Sequence, residues 1–242
     1  MPSMRSNWVI PIVLVSVAIG VWRYSEAMGG YKELRGPDIF RAKELYRTGN
    51  PEAGAVMLRE LMADRNWSVR THTLGAIGDV GDRSLLPEVH AALEDENLEV
   101  REAASRLLQQ VGNASSRRPL RLALKDKEPI VRSNAAEALV LLAEDGDFAV
   151  LEAVLESDPD AGVRARTAAA LGQVSGSAAR RLLLMAVRDP SPTVRIEAVE
   201  SLGGIGGDEI RRILTTLAVQ DPDHRVRLSA QRVLEQTKAN LH

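Results

Sequence analysis

A Val-Arg pair returns along this chain with its arginine at Arg70, Arg101, Arg132, Arg164, Arg195 and Arg227, at intervals of 31, 31, 32, 31 and 32 residues. An aspartate stands six positions before each: Asp64, Asp95, Asp126, Asp158, Asp189 and Asp221. A near-fixed period of this length constrains the fold more than any local propensity. It implies a row of equivalent supersecondary units, each unable to bury its apolar side alone and therefore stacked on its neighbours.

Inside each unit the apolar spacing is helical. A first helix carries an aliphatic face, as at Leu85-Leu86 to Leu93, Leu120 to Leu124, Val150 to Leu155, Leu182 to Val187 and Ile210 to Leu217. A turn holding the aspartate follows, and a second helix starts at Val-Arg. Three residues after the arginine the side chain is small: Thr73, Ala104, Ala135, Thr167, Ala198 and Ala230. Seven after it stands a large aliphatic: Ile77, Leu108, Leu139, Leu171, Leu202 and Leu234. Small residues let helices approach, and large ones fill the space between units. Glycines at Gly81, Gly112, Gly176 and Gly206-Gly207 read as C-terminal caps in a left-handed backbone. Ahead of the array, Asp38 to Tyr46 reads as an N-capped helix, ended by Thr48-Gly49-Asn50-Pro51. The expected fold is all-α: a right-handed α-solenoid of about six helix pairs, first helices convex and second helices lining the concave side.

Residues 189–207, Asp-Pro-Ser-Pro-Thr-Val-Arg-Ile-Glu-Ala-Val-Glu-Ser-Leu-Gly-Gly-Ile-Gly-Gly, resemble a HEAT repeat, as does the run from Asn66-Trp67-Ser68-Val69-Arg70 to Ile77-Gly78-Asp79-Val80-Gly81-Asp82. They are closest to the short bacterial HEAT-like type first noticed in phycobilisome lyases. The resemblance spans residues 54–239 and implies the fold. It does not select a function, because that family includes scaffolds, lyases and DNA-binding proteins. It also implies that the ladder from Asp64/Arg70 to Asp221/Arg227 is structural. The aspartate would accept backbone N–H groups where the second helix starts, and the arginine would reach an aspartate of its own or the next repeat.

The amino-terminal end is different in kind. Residues 8–22, from Trp8 to Trp22, form an uninterrupted apolar run between Arg5 and Arg23. It is shorter than the roughly 20 residues of a straight membrane span, but tryptophans at both ends suit the membrane interfaces. It reads first as an uncleaved anchor. The alternatives are a cleaved secretory signal, with Ser25-Glu26-Ala27 as a small-x-small site, and a core helix. The signal-like run favours an extracytoplasmic repeat domain, although the flanking basic residues weakly favour the opposite side. The expected domains are therefore an anchor at 1–22, a linker at 23–37 and the repeats at 38–242.

Chemistry is harder to find. The chain has no cysteine, which removes disulfides, thiolate catalysis and cysteine-ligated metals. A net charge of −2 argues against a nucleic-acid binder. The four histidines, His72, His90, His224 and His242, form no His-x-x-x-His or His-Glu grouping. Gly203 to Gly207 lacks the following lysine of a phosphate loop. The expectation is no cofactor, no metal, no small-molecule substrate and no enzymatic activity. Arg117-Arg118, Arg180-Arg181 and Arg211-Arg212 open first helices and read as a solvated face, with lipid headgroups as the alternative.

The candidate contact surface lies one, two and five residues after the repeat arginines. It comprises Thr71, His72, Glu102, Arg106, Asn134, Glu137, Arg166, Ile196, Glu197, Glu200, Leu228 and Arg232. Ile196 and Leu228 read either as an exposed apolar patch or as positions covered by the tail, Gln236 to His242. The functional expectation is a membrane-tethered scaffold for protein partners, an accessory or assembly subunit of a bacterial membrane complex. A bilin-handling protein and an exported soluble binding protein are the alternatives.

Overall fold

The computed structural model describes residues 35–239. The apolar run with Trp8 and Trp22, and the tail end at 240–242, lie outside the described residues. Among the described residues there are thirteen α-helices and no strand, and no helix is long and apolar enough to cross a membrane. The fold divides into two compact units, Met1–Glu88 and Val89–His242.

In the first unit, α1 (Gly36–Arg47) packs against α2 (Pro51–Met62) and α3 (Trp67–Val80). Prolines open α1 and α2, where a missing N–H costs nothing and φ is already helical. Helix α3 starts at the N-cap Asn66, whose side chain accepts the Ser68 N–H at 3.0 Å. A short 3₁₀ turn, Arg83–Leu85, leads into α4 (Leu86–Ala92), which spans the boundary.

The second unit continues with α5 (Leu98–Val111), α6 (Arg117–Ala123), α7 (Pro129–Leu142), α8 (Asp145–Ser157), α9 (Ala161–Leu171), α10 (Ser177–Ala186), α11 (Pro192–Ile205), α12 (Asp208–Gln220) and α13 (His224–Ala239). The second helices α5, α7, α9, α11 and α13 stack in order, each on the one before. First helices α6, α10 and α12 each pack on the second helix that follows them, and α8 lies against α7, α9 and α10. This is a solenoid stack of helix pairs.

The sequence columns explain the stack. The valine before each repeat arginine is at most 1% exposed, and the small residue three after it is 0% exposed, in all six repeats. Thr73 and Thr167, the two hydroxylic members of that column, donate to the carbonyls of Val69 and Val163 at 2.7 and 2.8 Å. Their polar atoms are therefore satisfied inside the core. Ile77, Leu108, Leu139, Leu171 and Leu202 are buried, each contributing about 1.5–3 kcal/mol by leaving water. The sixth member, Leu234, is only half-buried.

The glycine reading needs correction. Gly81 does end α3 in the left-handed region, at φ 66°. Gly112 does not, with φ −57°; a Cβ there would lie 2.4 Å from the Leu108 carbonyl oxygen, so close packing rather than handedness excludes a side chain. Gly176 precedes α10 instead of ending α9, which stops at Leu171.

Candidate protein-docking face

The repeat aspartates and arginines form a hydrogen-bonded ladder. Each aspartate carboxylate accepts the backbone N–H two residues later, an Asx-type turn. The donors are Asn66, Asn97, Glu128, Asp160, Ser191 and Asp223, at 2.7 to 2.9 Å. The aspartate thus shapes the turn, while the helix is capped two positions on. Asn66, Asn97, Asp160 and Asp223 cap with their own side chains. Glu128 and Ser191 precede a proline and make no side-chain cap.

Each arginine works in two directions. Its Nη1 donates to the main-chain carbonyl of its own repeat's aspartate, at 2.7 to 2.9 Å in all six. In the second unit, Nε and Nη2 grip the carboxylate of the next repeat. Arg101 meets Asp126, Arg132 meets Asp158, Arg164 meets Asp189, and Arg195 meets Asp221, with Nε at 2.7 to 2.9 Å. Fork-shaped donors suit a planar carboxylate, and the paired charges are nearly buried. Burial pushes the Asp221 carboxyl up, but the Arg195 fork and the Asp223 N–H outweigh it and leave it below its ordinary value. In the first unit, Arg35 supplies a weaker rung, Nη1 to Asp64 at 3.4 Å, from a left-handed backbone at φ 49°. No sequence signal points to it, because Arg35 lies outside the Val-Arg pattern.

The predicted contact residues do not all reach solvent. In the first unit, Thr71 and exposed His72 line an open cleft of about 390 Å³ between α1 and α3, with Ile39, Lys43 and Asp79. His72 Nδ1 lies 2.7 Å from the Ser68 carbonyl. Lys43 spans the cleft to Asp79 at 2.5 Å, a contact that sequence reasoning missed.

In the second unit the remaining residues lie on successive second helices. Arg106 pairs with Glu102 along α5 at 3.4 Å. Arg166 of α9 pairs with Glu137 of α7, and Arg232 of α13 pairs with Glu200 of α11. These cross-helix pairs tie the second helices of adjacent repeats into a ridge. Asn134 is corrected: it is 3% exposed, and its amide donates to Ser105 Oγ of α5 at 3.3 Å. The reason is register: its position faces the preceding helix, and only a long side chain such as Arg166 escapes. Ile196 is half-buried and Leu228 is 50% exposed. Residues 236–239 continue α13, so they are not folded back over Leu228 as a cap.

Glu197 stands out on the ridge. It is half-buried and has no hydrogen bond or ion pair among the described residues. Burial first, and then neighbouring Glu200, raise its carboxyl above the ordinary value. On the first-helix side three of these arginines are engaged laterally. Arg180 meets Glu209, Arg181 meets Glu152, and Arg117 meets Glu144. Arg121 Nε donates to the carboxylate of the fully buried Asp147 at 2.6 Å.

The model of HEAT repeats matches residues 54–140, 99–172 and 148–235. No curated protein gives a significant match. Among solved structures, the archaeal HEAT-like repeats protein from Thermococcus onnurineus is 16% identical, with TM-score 0.51, covering 86% of this chain and 97% of that one. A chain from the complex of CpcE and CpcF of phycocyanin lyase from Nostoc is 21% identical, with TM-score 0.50, covering 63% and 99%. Human deoxyhypusine hydroxylase is 23% identical, with TM-score 0.43, covering 84% and 79%. At these identities the likeness concerns the fold.

The expectation of no enzymatic activity is corrected by one of these neighbours. The phycocyanin lyase chain shares the fold and is named as an enzyme, so a stack of this kind does not exclude catalysis. The physical reason is that a stack gathers side chains from positions about one repeat apart, which leaves no short motif to read. The Val-Arg period, the stacked helix pairs and a family model spanning most of residues 54–235 agree: this chain belongs to the HEAT-repeat family.

Proposed function

We propose that this protein is a HEAT-repeat scaffold that holds a protein partner along the second-helix ridge of its second unit. Residues 8–22 tether it to a membrane, with the repeats on the extracytoplasmic side, as an accessory or assembly subunit of a membrane complex. The observation that carries the proposal is the ridge itself. Equivalent side chains from stacked helices form one surface, tied by Glu137–Arg166 and Glu200–Arg232. Such a surface suits an extended protein partner. Glu197, half-buried and lacking a cation, is the position a partner's lysine or arginine would complete.

The tether is tested by intact mass and amino-terminal sequencing after a carbonate wash of native membranes. A full-length chain that resists the wash supports it. A shortened chain released by the wash overturns it. For the ridge, the full-length protein is purified in mild detergent and its co-purifying partner quantified. Arg166→Glu and Glu197→Lys should each reduce recovery roughly ten-fold or more, as for central interface positions. Unchanged recovery, with an unchanged helical spectrum, would place the partner elsewhere.

A further inference from the structure

We propose that the rung at Arg227 is a receptor for a short acidic segment of a partner protein, independent of the ridge. In the second unit the rungs from Arg101 to Arg195 each place Nε and Nη2 on the carboxylate of the following repeat. Arg227 is built like them. Its Nη1 donates to the carbonyls of Asp221 at 2.7 Å and Pro222 at 3.2 Å, which fixes the guanidinium in the turn. Its Nε and Nη2 meet no carboxylate among the described residues. Among the described residues the fork is held in place without an acidic ligand.

Aliphatic side chains flank it in the sequence. Val219, two residues before Asp221, is 74% exposed. Glu156, two residues before Asp158 at the end of a helix of the same length, is likewise exposed, so this place faces solvent in both repeats. Leu228 follows Arg227 and is 50% exposed, whereas at that place Ser133 and Ala165 are buried and Thr71, Glu102 and Ile196 are half-buried. Two exposed aliphatic side chains thus stand in sequence on either side of a positioned guanidinium.

Further along α13 the character changes. Gln231 is exposed where Ser105, Ala136, Ala168 and Val199 are fully buried, and exposed Glu235 follows one turn later. A polar middle opposes docking of a whole repeat or of a second copy stacked end to end. The receptive part is therefore the size of a turn. It fits an aspartate or glutamate flanked by aliphatic residues, the chemistry that Asp221 itself brings to Arg195.

The test is selection of a display library of random short peptides on the full-length chain in mild detergent. The expected result is a consensus with an acidic residue beside aliphatic ones. Arg227→Gln should weaken the selected peptides roughly ten-fold or more, the loss of a charge-assisted pair. Leu228→Glu, which leaves the turn's hydrogen bonds alone, should do the same, and thermal melting checks that both variants fold. Arg188→Gln should have no effect. Selection of peptides without an acidic residue overturns the proposal, as does equal binding by Arg227→Gln and Leu228→Glu. A photoreactive side chain at Leu228 that crosslinks to residues 1–34 of the same chain, or to a second copy, also overturns it by naming a different occupant.

Discussion

The repeat arginines look alike in sequence and should differ in energetic weight. Arg195 is 7% exposed and binds a carboxylate that is 5% exposed, so Arg195→Ala strands the Asp221 charge and two carbonyl groups. Breaking a buried pair on one side costs about 3–5 kcal/mol. Arg227→Ala strands only carbonyl groups and should cost about 1–2 kcal/mol. Urea unfolding of both variants checks the difference, and equal losses would show that the carboxylate contact is energetically idle. A second residue sets a pH response. Burial holds the His90 imidazole below its ordinary 6.5, with Nε2 at 2.8 Å from Ser116 Oγ. The unfolded chain then takes up its proton first. Stability should be unaffected above about pH 6.5 and fall as pH drops below it, levelling once the folded imidazole protonates. His90→Gln should flatten that decline in melting scans.

At the scale of elements, α11 contains its own control. Gly203 and Gly204 are neighbours in one helix, but a Cβ at Gly203 would lie 2.3 Å from Val233 Cγ1, while one at Gly204 meets nothing within 4 Å. Gly203→Ala should destabilise by about 1–3 kcal/mol through overpacking between α11 and α13. Gly204→Ala should stabilise by about 0.5–1 kcal/mol through helix propensity. Chemical denaturation that gives both the same sign would contradict this packing. Sequence alone could not separate the two glycines, because the difference lies in a helix one repeat away. The same limit hid Asn134, whose burial depends on Ser105, and Gly176, which reads as an ending and serves as a beginning. What the sequence did reveal were the residues whose role repeats: the buried valines, the small column and the turn aspartates. A periodic signal survives because six copies meet the same environment.

Across the whole molecule, periodicity made the architecture legible and left the site less so. The ladder was visible because it recurs. Glu197 and Arg227 matter because they depart from recurrence: among the described residues one meets no cation and the other's Nε and Nη2 meet no carboxylate. An isolated reading of each gives an ordinary surface residue. The ladder also states how the chain can be edited. Removing Pro159 to Asp189, one period, joins Asp158 to Pro190. Arg132 still meets Asp158, the Ser191 N–H still finds a carboxylate two residues back, and Arg195 still faces Asp221. Such a shortened chain should keep a cooperative melt and lose stability by about one repeat and one interface. A cut of roughly half that length should not, because it sets first helices against second ones. Length in this protein is therefore quantised: gain or loss of a whole period passes as a grammatical change, and any other length is a misprint.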